Sequence, residues 1–91
     1  MVSKKVKITN PSGLHLRPAG LLCNKAMDFK SLITFNYEDR DRTGTANAKS
    51  VLSVLGACVK TGDSIELVCE GEDEEEALKT LVEAVESGLG E

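Results

Sequence analysis

Residues 12–27 read SGLHLRPAGLLCNKAM, from Ser12 to Met27. The stretch changes its period in the middle. Gly13 marks a turn, and from Pro18 onward Ala19, Leu22, Cys23 and Ala26 fall at i, i+3, i+4 and i+7, one face of a helix. Pro18 suits the first helical position, where its missing N–H would lack a partner anyway. The spacing therefore predicts a helix over 18–27, preceded by a turn that carries His15, the one histidine of the chain.

Outward from this stretch the pattern alternates between strand and helix. Upstream, Val2, Lys4, Val6 and Ile8 lead into Asn10-Pro11-Ser12-Gly13, a strand closed by a turn. Downstream, Ile33, Phe35 and Tyr37 share one side of a second strand over 31–37. The polar run EDRDRTG connects it to a short third strand from about Arg42 to Ala46. NAKSVLSVLGACV holds a short helix starting near Ser50, KTG is a turn, and Ile65, Leu67 and Cys69 alternate in a fourth strand. Asp73 with Glu76 three residues on has the form of a capping box, and carboxylates favour the positive end of a helix. Ala77, Leu78, Leu81, Val82 and Val85 form the apolar stripe of that last helix, and Gly88 ends it. The order β-α-β-β-α-β-α, with one-sided helices, predicts an α+β fold: a mainly antiparallel four-stranded sheet with three helices on one face.

Composition narrows the function. Ninety-one residues leave room for one domain, 1–91. A net charge of −4 argues against nucleic acid and anionic membranes as partners. Phe29, Phe35 and Tyr37 are the only aromatics, so the core is aliphatic and few platforms exist for stacking on bases. No apolar run approaches the roughly 18 residues that span a bilayer, and the start of the chain lacks the apolar region of a secretory signal. Cys23, Cys58 and Cys69 form no C-x-x-C pair, which leaves reduced thiols acting as small hydrophobes. No metal or cofactor is called for.

His15 lies at the mouth of the first helix. The N–H groups of a first helical turn have no intrahelical partners, and such a mouth binds phosphate. Arg17 adds a permanent cation with a planar fork of donors. On residues alone two readings stand: a ring that takes a phosphoryl group beside an anion cradle, and a histidine that only caps the helix. Metal binding lacks a second histidine, and no nucleophile-elbow pattern surrounds any serine.

GLHLRPAG resembles the active-site segment of the HPr family, histidine-containing phosphocarriers of the bacterial phosphoenolpyruvate-dependent sugar phosphotransferase system. NAKSVLSVLG resembles the family's second signature, and KTGDSIELVCEGEDEEEAL its fourth strand and the start of its third helix. The resemblance covers essentially the whole chain. It implies the HPr open-faced β-sandwich and a carrier without turnover of its own. His15 would accept a phosphoryl group on Nδ1 from Enzyme I and pass it to IIA domains of sugar transporters, with Arg17 stabilising the group. Ser50 matches the serine modified by HPr kinase/phosphorylase in Gram-positive relatives, which also engage a carbon-catabolite regulator. As an N-cap alone it would contribute about 1 kcal/mol.

The resemblance further implies a cytoplasmic monomer that docks its partners through a face including Leu16, Gly20, Leu21, Asn24, Val51, Leu52 and Leu55. Leu16 stands where the family usually has a small residue, Gly20 costs its helix roughly 1 kcal/mol relative to Ala, and Cys58 stands where a glycine is common. The connection between the second and third strands is a few residues longer than usual. The alternative within the family is a regulatory paralogue signalling carbon or nitrogen status through protein binding. A ferredoxin-like metal chaperone lacks its C-x-x-C loop here, and a cofactor-free enzyme lacks a base to accompany the one imidazole.

Overall fold

A computed structural model of the protein describes residues 1–38 and 42–91. Its elements are β1 (Val2–Lys7), α1 (Leu16–Ala26), β2 (Leu32–Glu38), β3 (Thr43–Asn47), α2 (Val51–Gly56), β4 (Ser64–Glu70) and α3 (Glu74–Glu86). The expected order is the observed one. The third strand begins at Thr43, one residue later than expected, and the polar connection before it lies partly outside the described residues.

The four strands form one antiparallel sheet in the order β1-β4-β2-β3. Alternation sorts their side chains. Ile65, Leu67 and Cys69 of β4, with Ile33 and Phe35 of β2, point to one face and are buried. Residues between them face away: Lys5 pairs with Glu66, Glu66 with Asn36 and Asn36 with Thr45, a polar row across the open side. The Asn36 amide donates to Glu66 at 3.1 Å and accepts from the Thr45 hydroxyl at 2.7 Å. Only one face of this sheet is apolar, so the helices cover only that face. Leu22 and Ala26 of α1, Val54 of α2, and Leu81 and Val85 of α3 close the core over it. Phe35 is the one aromatic among the fully buried side chains, as the composition implied.

Four local expectations are corrected. First, α1 begins at Leu16, two residues before Pro18, with His15 as its N-cap. Proline is tolerated at this third position because the N–H of the first turn is unpaired there too. Second, the Asp73 side chain does not cap α3. Its carboxylate crosses to the start of β2, accepting the Lys30 N–H at 2.9 Å, the Ser31 N–H at 3.0 Å and the Ser31 hydroxyl. The Ser31 hydroxyl bond, ahead of the Lys30 bond, holds this carboxyl below the usual range. Ser31 is itself buried, and satisfying it outweighs a local cap. Third, Cys58 is exposed, with φ +52°, while Cys23 and Cys69 are buried and their thiols are pushed up by that burial. Cys58 directly follows the C-cap of α2, where helices commonly end in a left-handed residue. This backbone need is what a glycine would meet without strain. Fourth, Leu78, expected in the stripe of α3, is only half-buried, and Ala84 is buried in addition.

Candidate functional site

The loop between β1 and α1 is fixed from below. Ile8 exchanges backbone bonds with the turn before β4, donating to the Asp63 carbonyl at 2.8 Å and accepting from the Gly62 N–H at 2.7 Å. The Gly13 N–H closes a turn on the Asn10 carbonyl at 3.1 Å, and the Leu14 N–H donates to the Val59 carbonyl at 3.0 Å. Gly13 has φ +64°, and a Cβ there would stand 2.7 Å from the Val59 carbonyl oxygen. Any larger residue would drive the two chain segments apart. Leu14 and Pro18 are buried on either side of His15. They pin the backbone and leave the ring between them exposed.

His15 has extended backbone angles and its carbonyl accepts the Ala19 N–H at 2.8 Å, opening the helix. Its side chain makes no capping bond. The imidazole is therefore not consumed by structure, which removes the reading of a histidine that caps by its ring. Leu16 and Arg17 occupy the first two helical positions, whose N–H groups have no intrahelical acceptor. Pro18, the third, has no N–H to offer. The mouth of α1 thus presents two backbone donors and the positive end of the helix dipole, with the exposed Arg17 beside them.

On the other side of the loop sits a carboxylate that the sequence reading did not single out. Glu91 accepts the Asn10 amide at 3.0 Å, the Ser12 N–H at 3.0 Å and the Ser12 hydroxyl at 2.7 Å. These bonds, led by that from Asn10, hold its carboxyl below the ordinary range, and the charge of Arg17 pulls the same way. The pairings span some eighty residues of sequence, so no local pattern announces them.

The residues expected to rim the site fall into two groups. Leu16 is 62 % exposed and Leu52 is 83 % exposed. Asn24 is exposed too, while Gly20, Leu21, Val51 and Leu55 are half-buried beside the buried Val54. Space is open around Gly20, so packing does not require a glycine there. α1 and α2 pack against each other. The C-terminal end of α2 leads through Cys58 to Val59, the residue that holds Leu14, so Leu55 lies toward the His15 loop. Ser50 is at the opposite end, as N-cap of α2, its hydroxyl accepting the Ser53 N–H at 3.2 Å. Six helical residues at about 1.5 Å each separate the two ends.

Among the described residues, no group of three or more His, Cys, Asp or Glu side chains could hold a metal ion. No helix among them is long and apolar enough to cross a membrane.

A family model described as "PTS HPr component phosphorylation site" matches residues 2–87. The phosphocarrier protein HPr of Lysinibacillus sphaericus is 37% identical over 92 residues, covering all of both chains. The HPr-like protein Crh of Bacillus subtilis is 35% identical over 86 residues, 94% of this chain and 96% of its own. The crystal structure of HPr-C-His from Thermoanaerobacter tengcongensis superposes with a TM-score of 0.88 at 40% identity, covering 100% of this chain and 98% of that one. The chain also matches the multiphosphoryl transfer protein of Salmonella typhimurium, 38% identical over 92 residues, and spans about a quarter (24%) of its length. Sheet order, helix placement and these similarities define a phosphocarrier fold of the phosphotransferase system. The chain belongs to the HPr family.

Proposed function

We propose that this chain is a phosphoryl carrier between Enzyme I and the IIA domains of sugar transporters, acting as a single HPr domain over 1–91, a monomer in the cytoplasm. The observation that carries the reading is the exposed His15 ring, unused as a cap, at a helix mouth with two free backbone donors and Arg17 at hand. With the ring proton on Nε2, the Nδ1 lone pair attacks the phosphorus carried by Enzyme I. The bond from phosphorus to the donor atom breaks and its electron pair leaves with the donor. The Leu16 and Arg17 N–H groups and the Arg17 guanidinium meet the phosphoryl oxygens with charge-assisted bonds. Transfer to a IIA domain runs the same steps toward a new acceptor, so the chain turns over nothing alone.

Ser50 serves on this reading as a second, regulatory site for HPr kinase/phosphorylase, and its phosphorylated form as a ligand for a carbon-catabolite regulator. A phosphate there keeps oxygens in place to accept the Ser53 N–H that the hydroxyl accepts now. The similarity to Crh supports the second reading, a regulatory paralogue working through protein binding. The two separate in one experiment. The chain, phosphorylated by Enzyme I and phosphoenolpyruvate, is mixed with a purified IIA domain. The carrier reading predicts near-stoichiometric movement of the phosphoryl group to the IIA domain; retention on the chain selects the paralogue.

A further inference from the structure

Arg42 directly precedes β3, at the end of the connection that runs longer than is usual in the family. Its guanidinium lies over the Tyr37 ring, 5.4 Å from the centroid, and donates to the Ala57 carbonyl. The platform under it is built. Tyr37 pairs with Gly44 across β2 and β3, and a Cβ on Gly44 would stand 2.5 Å from the Tyr37 hydroxyl oxygen. A residue with a side chain at 44 would push the ring off the neighbouring strand. The ring also meets the buried Phe35, with centroids 6.3 Å apart. The receiving end, α2, has no basic residue in its own last turn. The bond reaches a strained place. Ala57 is the buried C-cap of α2, and Cys58 after it holds φ +52°, a conformation unfavourable for any residue but glycine. Returning Cys58 to negative φ, with the chain beyond it fixed, requires the Ala57–Cys58 peptide plane to flip. Both polar groups of that plane are held: the Ala57 carbonyl by Arg42, and the Cys58 N–H by the Leu55 carbonyl at 3.1 Å. The next residue is Val59, whose carbonyl accepts the Leu14 N–H at 3.0 Å, and Leu14 directly precedes His15.

We propose that Arg42 is a positioning residue for the His15 loop: by holding the Ala57 carbonyl it keeps Cys58 left-handed and Val59 in place beneath Leu14. The coupling runs through one peptide plane with two orientations. In the held orientation Val59 presents its carbonyl to Leu14, and the His15 ring stays at the mouth of α1. In the flipped orientation the strain at Cys58 is relieved, Val59 shifts, and the loop loses that anchor. The consequence for phosphoryl transfer rests on His15 being the acceptor; the lock itself does not.

The test is a double-mutant cycle of Arg42→Met and Cys58→Gly, read by amide hydrogen exchange and by phosphoryl transfer from Enzyme I. Met keeps an apolar stem over Tyr37 and loses the donor. In Arg42→Met the Leu14 N–H should exchange roughly three- to tenfold faster, the factor set by one partly exposed hydrogen bond, while the amides of β4 exchange as in wild type. The maximal transfer rate should fall by a similar factor, with the KM for the chain within about twofold of wild type. Glycine takes positive φ without strain, so Cys58→Gly removes the tendency to flip. The double variant should therefore return to within about twofold of Cys58→Gly alone in both readouts. Equal Leu14 exchange in wild type and Arg42→Met, acceleration of all amides together, an effect on KM alone, or a loss that persists undiminished in the double variant overturns the proposal. A wild type that takes no phosphate from Enzyme I defeats the carrier reading instead, and the Leu14 exchange then decides the lock by itself.

Discussion

At the scale of single residues, long-range partners decide more than local signals do. Asp73 looks like a helix cap in the sequence, yet its carboxylate binds Lys30 and Ser31, more than forty residues away. A carboxyl held below its ordinary value of 3.8 contributes stability that is fully present above that value and is lost as pH falls through the lower folded value. Asp73→Asn should therefore melt below wild type at neutral pH, and the gap should narrow as pH drops from about 4 toward the folded value. Thermal unfolding of both proteins at pH 7 and in acid checks this. A gap that stays constant would mean the charge of Asp73 contributes nothing. His15 and Arg17 were legible because a turn, a histidine, an arginine and a proline sit within six residues. Glu91 and Asp73 were not, because their partners meet them only once the sheet has formed.

Secondary-structure elements were legible wherever burial is one-sided. The alternation in β2 and β4 and the period of α1 and α3 report the same buried face that the fold closes. The start of α1 was not legible, because its N-cap makes no side-chain cap. It begins where Leu14 is anchored to Val59, a tertiary contact. α2 is the element most dependent on its cap, having six residues and one fully buried side chain. Ser50→Ala should cost it about 1 kcal/mol. Ser50→Asp keeps an acceptor for the Ser53 N–H and should stay within about 0.5 kcal/mol of wild type. On the carrier reading it should also slow His15 phosphorylation, by placing a charge on the docking face. Paired measurement of melting and transfer rate checks both halves; a large stability loss in Ser50→Asp would make the serine purely structural.

At the scale of the molecule, the densest negative charge lies at one end. The acidic run of residues 70–76 gathers where β4 ends and α3 begins, and the His15 loop lies beyond the other end of β4. Seven strand residues at about 3.3 Å each put the two roughly 20 Å apart, more than two screening lengths at physiological salt. On the carrier reading, the acidic pole therefore does little to repel an anionic donor at His15, and docking is expected to fall to apolar groups on the helices. Leu52, almost wholly exposed, is the plainest of them. Leu52→Asp should leave stability within about 0.5 kcal/mol and raise the KM for Enzyme I about tenfold, the 1.4 kcal/mol typical of a moderate interface contact. An unchanged KM would move docking off this face.

Everything in the carrier reading depends on His15 being a phosphoryl acceptor. The direct measurement incubates wild type and His15→Ala with Enzyme I and phosphoenolpyruvate and locates phosphate by mass spectrometry under conditions that preserve phosphohistidine. One acid-labile phosphate is expected on His15 of the wild type and none on the variant, which folds normally because the ring is exposed and caps nothing. Phosphate gained equally by His15→Ala, or none gained by wild type, would contradict it.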